Sequence, residues 1–490
     1  MLLIIISCVA LCLYLWISNR QNKDEPPTFP GSLPLIGHAR LLLVDRMKFW
    51  NTIKEYSIKT TEIGGVASMR VGPMKFYLLT DPEDFATVAN TCLKKSKFYE
   101  FGRPWLGQGL VTGTFEKWKV HRRLISPAFN QIVLDGFIDI FNSQSRRFVK
   151  DLGPNIGMGP FDPFPYIRHN ALETKCLTAI GVDFTDETMQ NNEYVTAIEN
   201  ILNIVVERIQ KIWFYYDFIF NLSPTKKRQD KYLKIVHHVS NTILKNRKED
   251  FLKNRNIQKD NEAQSPTFKP FMDLILELSV EKKLLNDDEV REHVDTIIAA
   301  GHDTSAAVLA YTLVLVGSFP EVQEKIIEEL KYIIGDDDRD VTKHDLSKLI
   351  YLEAVIKESM RYFTIAPVTA RVLDRDVKLR NCTLSKGHTC YILGHGLHRH
   401  PMWGPDANEF IPERWLDPAK LPQVPSAFAA FHTGKRACIG KSYAYMSMKI
   451  TLFHLFKNYK ISGDYTKVIN KSDVLLKPVS GHHIIIERRK

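Results

Sequence analysis

The chain has 490 residues, 44% of them apolar, 25% charged and 11% aromatic, which excludes long disorder and allows either one large domain or two ordinary ones. Its formal net charge of +10 favours acidic partners or an anionic membrane surface, but no nucleic-acid motif accompanies it and the charge is not gathered into an arm. The cysteines (Cys8, Cys12, Cys92, Cys176, Cys382, Cys390, Cys438) are widely spaced and form no CxxC pair, which argues against a zinc or redox site and for free thiols in a reducing compartment.

The first segment, MLLIIISCVALCLYLWIS at 1–18, carries no charge and is long enough to cross a bilayer as a helix. A cleaved signal would want a basic start and a small-residue cleavage site, and neither is present, so 1–18 reads as a retained anchor. Arg20 and Lys23 flank only its C-terminal side, which places the body in the cytosol. Residues 19–37 follow as a strap rich in proline, PPTFPGSLPLIGH, stiff and non-helical. The body occupies 38–490. Short strands are expected at Lys75 to Thr80, within 369–393 and at 483–487. The polar run 254–269 is the candidate for a flexible loop.

The longest periodic segment covers 285–319, opened by the capping pair Asn286 and Glu289 and stopped by Pro320. It would span roughly 45 Å. Being apolar on most faces after Thr296, it should run through the core. Helices are expected next at 321–334, closed by Gly335, and at 345–363. Helix dominates, with a small strand component and no internal repeat.

The segment FHTGKRACIG, 431–440, sets Cys438 between Gly434 and Gly440 with Arg436 two places before it. The glycines allow a tight turn and close approach to a flat ligand, and Arg436 can meet a negative group at that ligand's edge. Backbone N–H groups near the sulfur would favour thiolate. Taken singly, such a cysteine is as well explained as a buried structural thiol in a glycine-rich loop. As a whole the segment resembles the haem-ligating signature of the cytochrome P450 superfamily, F-x-x-G-x-R-x-C-x-G, matched at Phe431, Gly434, Arg436, Cys438 and Gly440. The resemblance implies that Cys438 is the axial ligand of a haem iron.

Other landmarks of that family occur in order. Ala300-Gly301-His302-Asp303-Thr304-Ser305 is similar to its central-helix pattern, implying that Asp303 and Thr304 serve oxygen activation and proton delivery. A glycine and a threonine hydroxyl able to bond the Ala300 carbonyl would loosen one helical turn there, and an acid beside an alcohol suits a proton relay. Glu358 and Arg361 resemble the E-x-x-R motif and Arg414, in PERW, the arginine that completes a buried triad serving folding. Trp118, Arg122 and Arg371 match the positions that, with Arg436, clamp the haem propionates. His395, His398 and His400 could on spacing alone bind a transition metal, but they fall in a family stretch where such positions are structural.

The resemblance runs from Pro26 to the C-terminal strands and is strongest to animal microsomal members, insect ones included, of the clan containing the fatty-acid ω-hydroxylases. It implies the mainly α P450 fold with a small β component and an N-terminal transmembrane helix, residues 38–490 being the haem-thiolate domain in an endoplasmic-reticulum membrane. Ala300 replaces the glutamate that many ω-hydroxylases join to haem, so haem b is expected to be non-covalent and fatty-acid ω-hydroxylation is not inferred. Ser385 stands where the family often has proline.

Apolar or aromatic segments at 101–115, 211–220, 364–368, near Ala299 and near Ser480 face substrate by resemblance, implying a lipophilic small molecule. The segment 211–220 could instead dip into membrane lipid. No flavin or nicotinamide motif exists in the chain, so electrons from NADPH must arrive through a separate NADPH-cytochrome reductase, with cytochrome b5 as a second donor. Lys117, Lys119, Arg123, Lys435 and Lys441 are the candidate docking charges. The activity implied is monooxygenation. A haem-thiolate isomerase or dehydratase and a non-catalytic lipophile binder are the alternatives.

Overall fold

The computed structural model describes residues 5–9, 24–33, 36–40, 46–182, 192–258, 270–335 and 337–489. Of the expected anchor at 1–18 only 5–9 are described, as helix with Ile5, Ile6 and Val9 exposed; the remainder lies outside the described residues. Within the strap, prolines deny the backbone helical donors. The chain there is extended, with Phe29 N donating to Ser68 O at 2.8 Å.

In chain order the longer elements are α1 (Arg46–Glu62), β1 (Val66–Val71), β2 (Met74–Leu79), α2 (Pro82–Thr91), α3 (Phe115–Ile125), α4 (Ile138–Leu152) and α5 (Phe164–Lys175). There follow α6 (Asn192–Gln210), α7 (Pro224–Gln258), α8 (Asp287–Ser318), α9 (Pro320–Ile334), α10 (Ile350–Tyr362), β3 (Val368–Val372), β4 (Thr389–Leu393), α11 (Lys441–Asn458), β5 (Tyr459–Gly463) and β6 (Ile484–Arg488). The chain divides into two compact units that interleave in sequence, a pattern no break in composition signals. The first comprises 1–96, 366–408 and 422–437, and the second 97–365, 409–421 and 438–490.

The first unit is built on a four-stranded sheet in the order β1-β2-β4-β3, with β2 and β4 parallel and the outer pairs antiparallel. Alternation along β2 sends Tyr77 and Leu79 into one apolar cluster, with Phe85 and Val88 of α2, Cys390 and Ile392. Leu78 goes the other way, against Phe29, Tyr56, Met69 and Leu393.

The second unit is helical and organised around α8. Asn286 Oδ1 accepts from Glu289 N at 2.8 Å and Glu289 Oε2 from Asn286 N at 3.1 Å, the expected capping box. Every residue from Ser305 to Gly317 is buried, so this apolar run is a core helix although its length and hydropathy would also suit a membrane span. α5 packs along it, and β5 crosses its end.

Two expectations are corrected. The single helix at 345–363 is broken: Thr342 and Asp345 cap a separate turn, Lys343–Leu346, and α10 begins only at Ile350. The reason is tertiary, because Glu329 of α9 accepts from Tyr351 N at 2.6 Å and Leu352 N at 2.9 Å, capping α10 from outside its own sequence. In the expected loop at 254–269, residues 254–258 continue α7, a stretch with no glycine or proline to stop it; 259–269 lie outside the described residues.

α10 also carries the buried ion network. Glu358 accepts from Arg361 at 2.9 and 2.7 Å, Arg414 Nε at 3.0 Å, Trp415 Nε1 at 2.9 Å and Ile411 N at 2.9 Å. Glu358 and Arg361 have no accessible surface and Arg414 keeps 1%. Glu358→Ala should therefore leave two buried guanidinium groups without their counter-charge and lower stability by about 3–5 kcal/mol, read as a reduced urea midpoint. Lys357→Ala, which removes the surface pair with Glu353 and an ammonium over the Trp415 ring, should change it by no more than about 1 kcal/mol.

Candidate functional site

Cys438 lies just before the first turn of α11, where the chain leaves a short turn at Gly434–Arg436. Its side chain has accessible surface. Protein nevertheless crowds it closely enough that burial pushes the thiol above its usual pKa, against the pull of the Gly440 N–H and the cations Arg122, Lys175 and Lys441. Coordination to a metal cation would remove the proton outright. Gly440 has an ordinary φ of −87°, so it is not needed for a left-handed turn; a Cβ there would stand 3.9 Å from the Cys438 sulfur.

Lys175, the last residue of α5, reaches the same neighbourhood and was not apparent in the sequence. Its ammonium lies 3.2 Å from the centroid of the Tyr443 ring. Burial lowers its pKa to about 7, with Cys438 and Cys176 opposing the fall. On α3, Trp118 is buried, whereas Arg122 keeps partial exposure and is lowered by burial and raised by Cys438.

On α8 the expected hydroxyl bond is present: Thr304 Oγ1 donates to Ala300 O at 2.7 Å, within a helix that runs without a break from Asp287 to Ser318. Asp303 is buried, with His302 Nε2 at 3.6 Å and Lys477 Nζ at 3.7 Å. Burial alone would raise this carboxyl, but His302, Lys477 and Arg168 together outweigh it and hold it below the usual range. Neither oxygen meets a described donor within hydrogen-bond distance. An ionised carboxylate held by charges slightly too far away to saturate it keeps lone pairs for water or a substrate proton.

The remaining expected residues belong to the first unit. Arg371, on β3, is buried and donates to Ala370 O at 2.9 Å and to His432 Nε2 at 3.0 Å. Arg436 Nε donates to Leu93 O at 3.1 Å. Lys95 pairs by backbone with Arg371; burial, then Arg371 and Arg436, lowers its amine well below normal. Gly434 needs its glycine: φ is +71°, and a Cβ would stand 2.7 Å from Asn90 Oδ1. Phe431 is half-buried beside it.

His432 adopts φ +60°, a left-handed conformation that a residue with a Cβ rarely holds. Burial, reinforced by Arg371 and Lys95, drops its pKa to about 3. The ring is therefore neutral, and its contacts assign the tautomer: Nδ1–H donates to Thr433 O at 2.8 Å while Nε2 accepts from Arg371. Lys95 and His432 escaped the sequence reading. His432 lies inside the cysteine motif at a position the pattern leaves open, and a lone lysine in a polar run gives no signal.

Collected guanidinium and ammonium groups in low dielectric suit the carboxylate edge of a flat ligand. The thiol with its converging cations suits a metal bound through sulfur. The residues present therefore fit haem. The three histidines have separate structural partners: His398 Nε2 accepts from Ala429 N at 3.0 Å, His400 Nδ1 from Met402 N at 3.3 Å, and His395 meets Trp50 edge-on at 5.6 Å. Lys117, Lys119, Arg123, Lys435 and Lys441 are exposed, Lys117 being paired with Glu289.

In the aromatic segment, Arg208 is held between Phe101 at 4.3 Å and Phe220 at 4.0 Å, while Trp213, Tyr216, Phe218 and Leu222 are exposed.

A family model described as Cytochrome P450 matches residues 26–485. The chain is 32% identical over 477 residues to "Cytochrome P450 4V2" of Homo sapiens, covering 96% of this chain and 91% of that protein. It is 33% identical over 507 residues to "Cytochrome P450 4c3" of Drosophila melanogaster (98% and 93% covered). Identity to "Cytochrome P450 4c21" of Blattella germanica is 32% over 488 residues (96% and 95% covered).

Because Arg122 favours the ionised sulfur, Arg122→Gln should raise the Cys438 thiol further. In the haem-free chain, alkylation of the Cys438 peptide, followed by mass spectrometry across a pH series, should become several-fold slower at a given pH below the thiol's pKa.

Proposed function

The chain belongs to the cytochrome P450 family and is an oxidoreductase of the haem-thiolate monooxygenase type; from that premise we propose that it inserts one oxygen atom from O₂ into a lipophilic small molecule, with Cys438 as the axial iron ligand. The observation that carries this reading is the Cys438 thiol itself, met by the Gly440 N–H and by Arg122, Lys175 and Lys441. Haem bound there through the Cys438 sulfur would supply the oxygen chemistry.

The protein's own contribution is positioning and proton supply. Gly440 leaves the space beside the sulfur free of a side chain, and Gly434 supplies the left-handed turn that a residue with a Cβ would strain. Arg371 and Arg436 of the first unit, and Trp118 and Arg122 of the second, would hold the propionates. Lys95 and the neutral His432 add to that set, His432 by fixing the Arg371 guanidinium. On α8 the Thr304 hydroxyl is held by the Ala300 carbonyl and Asp303 stays ionised near Lys477. Asp303 would gather a proton from solvent through Lys477 and His302, and Thr304 would hold the water that passes it on. Ala300 offers no carboxyl for an ester bond, so the haem is non-covalent.

Membrane lipid is the medium for the N-terminal anchor and for the exposed Trp213, Tyr216, Phe218 and Leu222, which suit a lipophile arriving from the bilayer. The location is the endoplasmic-reticulum membrane with the catalytic body in the cytosol. NADPH-cytochrome reductase, docking on Lys117, Lys119, Arg123, Lys435 and Lys441, supplies the electrons, with cytochrome b5 as a second donor.

The reduced, carbon-monoxide-bound difference spectrum should show the red-shifted Soret band of a thiolate complex in the wild type and lose it in Cys438→Ala. A well-folded, haem-loaded wild type without that band would remove the ligand assignment. With reductase and a turned-over lipophile, Asp303→Asn should lower product formation by about 10²-fold. Turnover without reductase would instead favour an isomerase or dehydratase, and haem loading with no turnover of any lipophile a binding protein.

A further inference from the structure

Between His293 and Gly317, α8 loses full burial only at Ala299, Ala300, Gly301 and Thr304, all within about two turns. A core helix uncovered at one place opens onto the space where the proposed chemistry happens. Residues four apart stack on one helical face, so Thr296 lies one turn before Ala300 on the face that opens, and Glu292 one turn before Thr296. The glycine-rich loop 107–113 is seated on both, which makes it the rim of the opening toward the start of α8.

The loop meets α8 with its backbone. Gln108 N donates to Glu292 Oε2 at 2.9 Å. A Cβ at Gly107 would stand 1.9 Å from Glu292 Oε1, and one at Gly109 2.1 Å from Thr296 Oγ1. Residues without side chains are what allow so close a seat, and Gly107 in addition holds φ +50°. Within itself the loop is braced: Thr112 Oγ1 donates to Gly107 O at 2.8 Å, Thr114 N to Gln108 Oε1 at 3.0 Å and Gly113 N to Gly109 O at 2.8 Å. A segment so braced shifts as one body, and its tethers decide where it rests. On the α7 side, His237 Nε2 donates to Trp105 O at 3.2 Å. On the α8 side, Thr296 Oγ1 is buried and has no hydrogen-bond partner among the described residues, so it contributes packing. The Glu292 carboxylate supplies the directional link, a charge-assisted bond from a backbone amide.

We infer that Glu292 is a positioning residue for substrate selection, its carboxylate clamping the 107–113 loop to α8 so that the rim grips the far end of a long lipophile. The inference rests on the haem-thiolate reading and deepens it, because it assigns the preference for extended apolar substrates to one contact. Leu110 and Val111 follow Gly109 directly, so the clamp fixes apolar surface next to the opening. Released from Glu292, the loop would no longer hold that surface in one place, and a ligand would lose affinity in proportion to how much of it reaches the rim. A ligand confined to the iron would not sense the change.

The test is a spectral titration of the haem-loaded full chain with imidazole and with 1-octylimidazole, two iron ligands of the same ring that differ in the alkyl tail. It compares wild type, Glu292→Ala, Glu292→Gln and Gly109→Ala, each with its reduced carbon-monoxide spectrum. Glu292→Ala removes the acceptor, and Gly109→Ala pushes the loop off Thr296 with the carboxylate intact. Both should lower the preference for 1-octylimidazole over imidazole by about tenfold, the size of one charge-assisted hydrogen bond, while the Kd for imidazole stays within threefold of wild type. Glu292→Gln keeps an oxygen for the Gln108 N–H and should retain the wild-type preference within threefold. A preference unmoved in either Glu292→Ala or Gly109→Ala would overturn the inference, as would a glutamine variant that behaves like the alanine one, or an equal loss of both ligands. A wild type that lacks the thiolate band strikes the haem-thiolate reading itself, whereas a normal band with an unmoved preference strikes this inference alone.

Discussion

An ionised group removed from water must find its compensation inside the protein, and the second unit is arranged around the places where that requirement is met. Glu358 meets it fully: two arginines, an indole N–H and a backbone amide converge on one carboxylate with no accessible surface. The consequence is structural. α10 and the segment carrying Arg414 and Trp415 are pinned together by directional bonds, which apolar packing alone would leave free to slide. That segment immediately precedes the stretch of chain that leads to Cys438.

The same rule, incompletely met, marks the chemistry. Asp303 has His302 at 3.6 Å and Lys477 at 3.7 Å but, among the described residues, no donor within hydrogen-bond distance, and Lys175 has an aromatic face in place of an acid. In the first unit, His432 gives up its charge entirely and holds a left-handed backbone to serve as acceptor for Arg371. Groups of this kind are destabilising in isolation, so their persistence points to a partner that brings the missing charge. In the proposed function the sulfur would take a metal and the guanidinium groups an anionic ligand edge, which is the charge pattern of haem.

α8 converts these local charges into a site. A helix buried along most of its length is stiff, so the turn at 300–304 is held in register by everything around it. Thr304 takes the Ala300 carbonyl at 2.7 Å, Gly301 leaves room for the Lys175 stem, and Asp303 faces Lys477. Three positions within about one turn therefore serve three separate tasks, because successive helical residues point about 100° apart.

The amino-acid sequence by itself determined the helix at Asp287–Ser318, its cap and its stop, the strands near 75–80 and 483–487, and the cysteine motif, because these depend on local periodicity, on capping chemistry or on a pattern dense enough to stand alone; Arg361 and Arg414 as partners of Glu358 came from the family resemblance, and the Trp415 and Ile411 donors only from the structure. It left the break before Ile350 unread, since the carboxylate that caps α10 belongs to Glu329 on another helix. Nothing in its composition signalled that the chain interleaves into two units of three segments each. Lys95, Lys175 and His432 were invisible for the same reason. A lysine or histidine in a polar run looks like solvated charge, and only tertiary packing decides whether water reaches it. That decision sets whether the charge is screened or felt, which is why the tuning of the site belongs to the tertiary structure and its location to the sequence.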